Sequence, residues 1–472
     1  MNYLDYFKEI AKIPHGSGNI EAICRYLVDF AKNNGYYYRQ DELGNVVIIR
    51  EAHPDYADHD PIILQGHMDM VAVKEEECDK DMKKEGLDLV EEDDFLYAKG
   101  TSLGGDDGIA LAYALDILSG NYKTPRIEAI FTVDEETGMY GAYGLDVSDI
   151  TAKKMISLDQ EEEGIFVVSC AGGTHMDIQF PMDMEVVSGP IYRITVSNLK
   201  SGHSGVDIDK KRGNAIKILF SELCKLSQKV DFSLVTVSGG DADNAIPKQC
   251  YADIMLTNDT NPVFASEIKK LNGEELYFGT EDDIDTAIIT VTEKPENQMF
   301  AGTLEFTKYF IEFMNKCPDG IVAMQEADPN AVETSLNIGM IRTGEEDINI
   351  SILARSRNDV SRNVLSNELC KLAKEYGGLT EITGSYPGWA YRKDSVVRDI
   401  FAAKYEELFG NKPVIEAIHA GLECGIFASK IEDLDCISIG PSIDDIHTYK
   451  EKLSLSSAKR CFDLLVAALE AM

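Results

Sequence analysis

Residues 61–71 read P-I-I-L-Q-G-H-M-D-M-V, an apolar run that ends at an imidazole and a carboxylate. A short continuous run of apolar residues favours a buried β-strand. We therefore predict a strand over residues 62–65, with His67 and Asp69 just beyond its carboxyl end.

Further apolar runs surround this strand in the first third of the chain. They predict strands over residues 45–49, 128–133 and 155–158, while the stretch G-I-A-L-A-Y-A-L-D-I-L, which starts at Gly108, has the periodicity of a helix. Strands that alternate with helices indicate an α/β fold, in which a mostly parallel sheet carries helices on both faces. Ligands bind such sheets beyond the carboxyl ends of the strands.

Five acidic or imidazole side chains lie near the ends of apolar runs, and several of them follow the predicted strands. They are His67, Asp106, Glu136, Asp159 and His447. Two imidazoles and three carboxylates form a mixed nitrogen and oxygen ligand set, which suits a pair of zinc-like cations and leaves room for water. The sequence therefore favours a metal-dependent hydrolase.

The middle of the chain has a different pattern, which predicts an inserted α+β domain over residues 173–385. The expected strands cover residues 191–196, 335–341 and 348–354, and the expected helices cover residues 214–226, 303–315 and 364–376. The segments 1–172 and 386–472 then form one discontinuous catalytic domain. A chain of 472 residues is long enough for two such domains.

Composition and charge exclude several classes of partner. The 82 acidic and 45 basic residues give a net charge of -37, which repels nucleic acids and anionic membrane surfaces. No run approaches the length of a membrane span, about 20 apolar residues, and the first residues lack the apolar core of a signal peptide. The ten Cys residues form no C-x-x-C pair. We therefore expect a cytoplasmic protein with reduced thiols, without nucleic acid or membrane as partner.

Seven short motifs occur in the order of a known enzyme family. They are I-P-H-G-S-G-N (13–19), G-H-M-D-M-V (66–71), G-T-S-L-G-G-D-D-G-I (100–109), D-E-E-T-G (134–138), S-G-H-S-G-V (201–206), H-A-G-L-E-C-G (419–425) and I-H (446–447). Together they span nearly the whole chain and resemble the co-catalytic di-zinc metallopeptidase family that includes carboxypeptidase G, aminoacylase and the cytosolic dipeptidases. Two of them, G-T-S-L-G-G-D-D-G-I and H-A-G-L-E-C-G, are similar to the dipeptidase branch, in particular to bacterial aminoacyl-histidine dipeptidases.

The resemblance implies a site for two zinc ions, which manganese or cobalt could replace. His67 and Asp159 would hold one ion, and Glu136 and His447 would hold the other. Asp106 would bridge both ions. Three carboxylates would supply much of the negative charge that two divalent cations need in a site partly shielded from water.

The resemblance also implies roles for acidic neighbours of these ligands. Asp107 is left with helix capping or with support of the ligands, because the family uses the first Asp of the pair as the bridge. Glu135 would be the general base in the attack of a zinc-bridging hydroxide on the peptide. Asp69 would hold the ring of His67 in its metal-binding tautomer.

His203, in S-G-H-S-G-V, is far in sequence from the metal ligands. A histidine in a Gly-flanked turn is commonly structural. In relatives, however, the matching histidine stabilises the oxyanion in the active site of the partner subunit. The resemblance therefore implies a catalytic role for His203, a homodimer with composite sites, and an inserted domain that serves as lid and dimerisation domain.

Four residues match family positions near the substrate. Arg355 and Asn244 would bind its carboxylate end, where a guanidinium offers two parallel charge-assisted hydrogen bonds. Arg357 is an alternative to Arg355, since both fall on the same face of a strand. His419 and Glu423 would lie in a late loop near the substrate, and Glu423 would either face the free ammonium group of a peptide or anchor the loop.

These expectations converge on a metal-dependent dipeptidase that hydrolyses short unblocked peptides, especially of the Xaa-His type. An N-acyl amino acid deacylase of the same family is the alternative enzyme, because it would use the same metals with a different pocket for the amino side of the substrate. A non-catalytic binding protein with this fold is a third interpretation, but the intact Glu135 and the five candidate ligands argue against it.

Overall fold

The computed structural model describes residues 1–256, 262–295, 297–325 and 331–472. Helices and strands are numbered separately in chain order. The helices are α1 (Tyr3–Ile10), α2 (Glu21–Asn34), α3 (Gly105–Ser119), α4 (Tyr140–Gly144), α5 (Ala215–Ser227), α6 (Pro262–Leu271), α7 (Leu304–Lys316), α8 (Asp359–Glu375), α9 (Val396–Phe409), α10 (Glu423–Lys430) and α11 (Leu455–Leu469). The strands are β1 (Tyr37–Gln40), β2 (Val46–Arg50), β3 (Ile62–His67), β4 (Leu89–Glu92), β5 (Phe95–Ala98), β6 (Ile127–Thr132), β7 (Lys154–Ser157), β8 (Ile165–Cys170), β9 (Gly172–Pro181), β10 (Met184–Ser188), β11 (Ile191–Ser197), β12 (Phe232–Gly239), β13 (Cys250–Leu256), β14 (Glu275–Gly279), β15 (Ile284–Lys294), β16 (Gln298–Gly302), β17 (Gly320–Met324), β18 (Val332–Thr343), β19 (Asp347–Ser356), β20 (Leu379–Tyr386), β21 (Val414–Ile418), β22 (Asp435–Ser438), β23 (Ile443–Asp444) and β24 (Lys452–Ser454).

The chain divides into two compact units, and the second is inserted into the first. Unit 1 consists of Met1–Cys170, Tyr391–Ala417 and Leu422–Met472, and unit 2 consists of Ala171–Ala390 and Ile418–Gly421. The sequence places the boundaries at 172/173 and 385/386, a few residues away, and gives no sign that residues 418–421 separate from their neighbours.

The main sheet of unit 1 has the strand order β1-β2-β6-β3-β7-β22-β8-β21. Its central strands β6, β3, β7 and β22 run parallel to one another, whereas β1, β2 and β8 pair in antiparallel. The sequence predictions for β2, β3, β6 and β7 are confirmed to within two residues at each end. Every residue of β3 is buried, as expected for a parallel strand that is covered on both faces.

Helix α3 is buried all round rather than on one face. Its residues from the first turn to Leu118 are buried, which is typical of a helix inside a domain core. The ring of Tyr113 packs edge-on against Tyr3 of α1, with 5.2 Å between the ring centroids, and its hydroxyl donates a hydrogen bond to the carbonyl oxygen of Ala458 in α11. Asp106 lies in the first turn with non-helical backbone angles. The candidate bridging ligand is therefore carried by the start of a core helix.

Unit 2 contains an antiparallel sheet with the order β14-β15-β11-β13-β12-β18-β19-β9-β20, and β17 pairs with β18 beside this path. The predicted strands β11, β18 and β19 and the predicted helices α5 and α7 are confirmed with small shifts at their ends. Helix α8 begins at Asp359, earlier than the apolar periodicity predicts. The reason is a cap, since the side chain of Asn358 accepts hydrogen bonds from the N–H groups of Val360 and Ser361.

The described residues contain neither a membrane-spanning helix nor a disulfide bond. Within the described ranges, no helix combines the length and the apolar composition that crossing a bilayer requires. None of the ten cysteines, all of which are among the described residues, forms a disulfide bond, and seven of them are buried. Burial raises the pKa of the Cys24 thiol to about 11, so this thiol stays protonated and unreactive at neutral pH.

Candidate metal centre

The five predicted ligands all lie in unit 1, around the carboxyl ends of neighbouring parallel strands. His67 is the last residue of β3, which lies between β6 and β7 in the sheet. Glu136 comes shortly after β6, and Asp159 comes shortly after β7. Asp106 lies in the first turn of α3, and His447 lies between β23 and β24. The sheet edge therefore collects residues from distant parts of the sequence.

These side chains form two groups that share Asp106. Nε2 of His67 lies 3.1 Å from Oδ1 of Asp106 and 3.5 Å from Oδ1 of Asp159. Nε2 of His447 lies 3.1 Å from the other oxygen of Asp106, Oδ2, and 3.0 Å from Oε2 of Glu136. The two oxygens of Asp106 thus face different histidines, which is the arrangement expected of a carboxylate that bridges two cations.

The donor set and its burial fit a pair of divalent cations. Possible ligand atoms of His67, Asp106 and Glu136 lie within 4.8 Å of one another, as do those of His67, Asp107 and Asp159. Oε1 of Glu136 is buried and has no hydrogen-bond partner within the described part of the chain. A buried carboxylate oxygen without a partner is costly, and a cation would remove that cost.

Asp107 supports the main chain at His67. Its Oδ2 accepts a hydrogen bond from the N–H of His67 at 3.1 Å, and the residue is 1% exposed. A Cβ at position 66 would come within 2.6 Å of the same oxygen, so the strand needs Gly66 there. Burial raises the pKa of Asp107 well above its usual value. Asp107 therefore supports a candidate ligand. This is one of the two roles that the sequence left open for it, and the other is helix capping.

Opposing effects act on the protonation of the ligands. Burial lowers the pKa of His67, but hydrogen bonds with Asp106 and Asp159 outweigh burial and hold this pKa well above its usual value. Hydrogen bonds with Asp106 and then Glu136 raise the pKa of His447 to about 10. A metal-bound imidazole is neutral, so the binding of cations has to release these protons.

Asp69 joins three parts of the site. Its Oδ1 accepts a hydrogen bond from the main-chain N–H of Glu135 at 3.1 Å, and its Oδ2 accepts one from Oγ of Ser17 at 2.8 Å. Nδ1 of His67 lies 2.9 Å from the carbonyl oxygen of Asp69 and 3.6 Å from its Oδ1. The main chain of Asp69 therefore orients the imidazole most directly, while its carboxylate orients the segment that carries Glu135.

Glu423 connects the ends of β3 and β6. Its Oε2 accepts hydrogen bonds from Nε2 of Gln65 at 2.6 Å and from Oγ1 of Thr132 at 2.7 Å. The residue is 1% exposed, and burial raises its pKa to about 8. These are the contacts of an anchor, one of the two roles that the sequence left open for Glu423.

The remaining predicted residues, His203, Asn244, Arg355 and His419, lie in unit 2. Nε2 of His203 is 3.4 Å from one guanidinium nitrogen of Arg355 in the same chain, and another guanidinium nitrogen donates to the hydroxyl of Tyr386 at 2.6 Å. The main-chain N–H that follows His203 donates to the carbonyl oxygen of Asn244 at 2.8 Å. Burial, and then the charge of Arg355, lower the pKa of His203 to about 4, so its ring is neutral at pH 7.

His419 lies in the same unit and is 6% exposed. Its Nε2 is 2.8 Å from Oγ of Ser335. Burial, followed by the charges of Arg357 and Arg355, lowers the pKa of His419 to about 3. Both candidate arginines are therefore close enough to act on the same histidine.

Comparison with known proteins agrees with this geometry. The family model for peptidase family M20/M25/M40 matches residues 63–471. The chain belongs to this family. It is 32% identical to the cytosol non-specific dipeptidase of Escherichia coli (strain K12) over 469 residues, which cover 99% of this chain and 96% of that relative. The crystal structure of aminoacylhistidine dipeptidase from Vibrio alginolyticus is similar with a TM-score of 0.89 and 34% identity, and the match covers 100% of this chain and 96% of that one.

A less similar solved structure shares the fold of this M20/M25/M40 peptidase. Aminopeptidase PepT from Bacillus cereus has a TM-score of 0.56 at 18% identity, over 99% of this chain and 97% of the other. The family match begins before His67 and ends after His447, so it includes all five candidate ligands. The predicted resemblance to this metallopeptidase family is confirmed.

Sequence reasoning missed three contributors to the site of this M20/M25/M40 peptidase. Ser17 lies in the motif I-P-H-G-S-G-N, so the motif itself carried a signal. Gln65 precedes His67 by two residues on the same strand and therefore points to the same face. Glu451 follows His447 by four residues, and no pattern in the sequence marks it.

Proposed function

We propose that this chain is a metal-dependent dipeptidase that hydrolyses short unblocked peptides, with Xaa-His dipeptides as its preferred class. The observation that carries the proposal is Asp106, whose two carboxylate oxygens each lie 3.1 Å from a different histidine. Family membership supports the reaction type. The names of two relatives, a cytosol non-specific dipeptidase and an aminoacylhistidine dipeptidase, support the substrate class.

Two zinc ions, with manganese or cobalt as substitutes, are the proposed metals. His67 and Asp159 would hold one ion, Glu136 and His447 would hold the other, and Asp106 would bridge them. The contacts within the two groups support this division. When bound, a pair of divalent cations would lower the pKa of water and polarise the carbonyl of the substrate.

Glu135 is the proposed general base and, later, the general acid. Its carboxylate takes a proton from the attacking water and delivers a proton to the amine nitrogen that leaves. The hydrogen bond from its main-chain N–H to Asp69 keeps its segment in place. Proton transfer by a positioned side chain contributes typically about 10²- to 10⁴-fold to the rate.

The cluster in unit 2 supplies the proposed substrate contacts. Nδ1 of His203 accepts hydrogen bonds from the N–H groups of Gly205 at 3.2 Å and Val206 at 3.1 Å, so the proton of the neutral ring lies on Nε2. That N–H and the guanidinium of Arg355 are both donors and lie 3.4 Å apart. Each of them can donate to an anionic oxygen of the substrate. Following the family motifs, we assign His203 to the oxyanion, and Arg355 with Asn244 to the carboxylate end of the peptide.

We further propose a cytoplasmic homodimer in which His203 of one subunit acts in the site of its partner. The motif around His203 supports the dimer, and the name of the Escherichia coli relative supports the location. The test mixes inactive Glu135→Ala and His203→Ala subunits after reversible dissociation. Composite sites predict that part of the activity returns on mixing. A monomer in light scattering, or a mixture that stays inactive, would contradict composite sites.

The reaction itself is tested with zinc-loaded protein and three compounds. We expect hydrolysis of Ala-His and β-Ala-His, and no release of acetate from an N-acetyl amino acid. Hydrolysis of the acetylated compound alone would instead identify a deacylase. Inactivity towards all three with both zinc ions bound would favour the non-catalytic interpretation.

A further inference from the structure

Glu451 lies immediately before β24 and is 3% exposed. Its Oε2 accepts hydrogen bonds from the main-chain N–H groups of Leu103 and Gly104 at 2.8 and 3.0 Å. Its Oε1 accepts hydrogen bonds from those of Gly105 and Asp106 at 2.7 and 3.3 Å. One carboxylate thus receives four consecutive main-chain donors, and the last of them belongs to the candidate bridging ligand.

The same carboxylate belongs to the segment that carries His447. Strands β23 and β24 form a hairpin whose loop, residues 445–451, contains both His447 and Glu451. The main-chain N–H of Glu451 donates to the carbonyl oxygen of Thr448 at 3.3 Å, and Oγ1 of Thr448 donates to that of Asp445 at 2.7 Å. These two hydrogen bonds span the loop from Asp445 to Glu451 and so restrict how far His447 can move relative to Glu451.

We propose that Glu451 is a positioning residue of the metal centre, which sets the position of Asp106 relative to His447. The inference rests on the proposed function, because it takes these two residues as ligands of the same cation. Oδ2 of Asp106 and Nε2 of His447 are 3.1 Å apart, although their residues are separated by 341 positions in the sequence. The four hydrogen bonds that Glu451 accepts join the two segments directly beside that contact.

Capping of α3 alone is the competing explanation. A carboxylate near a helix amino terminus stabilises the helix through its free N–H groups and its dipole. If Glu451 did no more than this, its replacement would lower stability and leave the affinity for cations unchanged. A local residue could cap the helix, whereas Glu451 comes from a segment 345 positions after Asp106.

The decisive variant is Glu451→Gln, which keeps the shape of the side chain. The amide nitrogen of Gln cannot accept a hydrogen bond, so two of the four main-chain donors lose their partner. Loss of an outer partner of a metal ligand typically weakens metal affinity by about 10- to 100-fold. We expect this loss for the zinc held by Glu136 and His447. The zinc held by His67 and Asp159 should be affected less, since those residues stand at the ends of β3 and β7.

Both affinities are measured by titrating metal-free protein with zinc against a chromophoric chelator, in the absence of substrate. Glu128→Gln is the matched control. Glu128 is a fully buried carboxylate of unit 1 that accepts hydrogen bonds from the N–H groups of Thr151 and Ala152 at 3.0 and 3.1 Å. It lies near the start of β6, whereas the candidate ligands follow the other end. Its replacement should lower the melting temperature and leave both zinc affinities unchanged.

A selective loss of the second zinc in Glu451→Gln, with both affinities retained in Glu128→Gln, supports the inference. Two unchanged affinities in Glu451→Gln, or equal losses in both variants, would overturn it and leave Glu451 as a helix cap. If Glu451→Gln does not fold, Glu451→Asp, which keeps the charge, is judged by the same criteria. A wild-type chain that fails to bind two zinc ions would overturn the two-metal proposal as well. Failure of the proposed function can therefore be distinguished from failure of the proposed role of Glu451.

Discussion

Glu135 and Glu136 are neighbours in sequence but have different partners. Oε2 of Glu136 lies 3.0 Å from Nε2 of His447, among the candidate ligands. The main-chain N–H of Glu135 is instead bonded to Asp69, and burial raises the pKa of the Glu135 carboxyl well above its usual value. The positive charge of bound cations would act in the opposite direction and favour the ionised base. One residue of the pair can therefore bind metal while the other moves a proton.

Replacement of Glu135 with alanine should lower kcat by about 10²- to 10⁴-fold, because proton transfer is lost while all five ligands remain. The measurement is the rate of Ala-His hydrolysis together with the zinc content of the protein. Glu136→Ala is the matched control, and it should lose zinc as well as activity. An empty metal site in Glu135→Ala would place Glu135 among the ligands instead.

His419 makes the stability of unit 2 depend on pH. Burial lowers the pKa of His419 from 6.5 to about 3, so in this window the unfolded chain binds a proton that the folded chain does not. The free energy of unfolding should therefore rise with pH across the window, by at most about 1.4 kcal/mol per pH unit. Urea unfolding between these limits should show a smaller slope for His419→Gln than for the wild type. Equal slopes would mean that His419 titrates alike in both states.

At the scale of single elements, buried strands were the easiest part to predict. β3 and β6 are buried at every residue and β7 at its last three, and each of these strands contains a short apolar run that is visible without any tertiary information. The beginnings of helices were harder. The first turn of α3 contains Asp106, which has non-helical backbone angles and whose main-chain N–H donates to Glu451. The sequence does not reveal a contact between residues that are 345 positions apart.

Helix α8 provides a test of how much a side-chain cap stabilises the start of a helix. Asn358→Ala should lower the free energy of unfolding by about 0.5 to 2 kcal/mol, because two N–H groups at the start of the helix lose their acceptor. Asn214 caps α5 in the same way, and its Nδ2 also donates to Asp319 and to the carbonyl oxygen of Ile338. Asn214→Ala should therefore cost more than Asn358→Ala in urea unfolding. Equal costs would show that those additional hydrogen bonds contribute nothing.

At the scale of the whole molecule, the ligand types could be predicted but their supporting contacts could not. Each of the five candidate ligands follows an apolar run or begins a helix, and the family motifs select them from many acidic residues. The partners of Ser17, Gln65 and Glu451 depend on how segments meet in three dimensions. The sequence also does not show that His419 and Glu423, which lie in the same motif, belong to different compact units.

Removal of metal should affect the folded chain as a whole. A ligand that binds only the folded state stabilises it by about 2.7 kcal/mol at a concentration of 100 times its Kd. Dialysis against a chelator should therefore lower the melting temperature and abolish dipeptide hydrolysis, and added zinc should restore both. A chelated protein with unchanged melting temperature and activity would contradict a metal-dependent enzyme.

The insertion of unit 2 has a consequence for synthesis on the ribosome. β22 lies between β7 and β8 in the sheet of unit 1, yet β8 ends at Cys170 and β22 begins at Asp435. At about 5 to 20 residues per second, translation of the intervening chain takes roughly 10 to 50 s. During this time, the nascent chain exposes the facing edges of β7 and β8, and such unpaired edges can pair with other chains. Completion of the catalytic sheet is therefore limited by elongation as well as by folding.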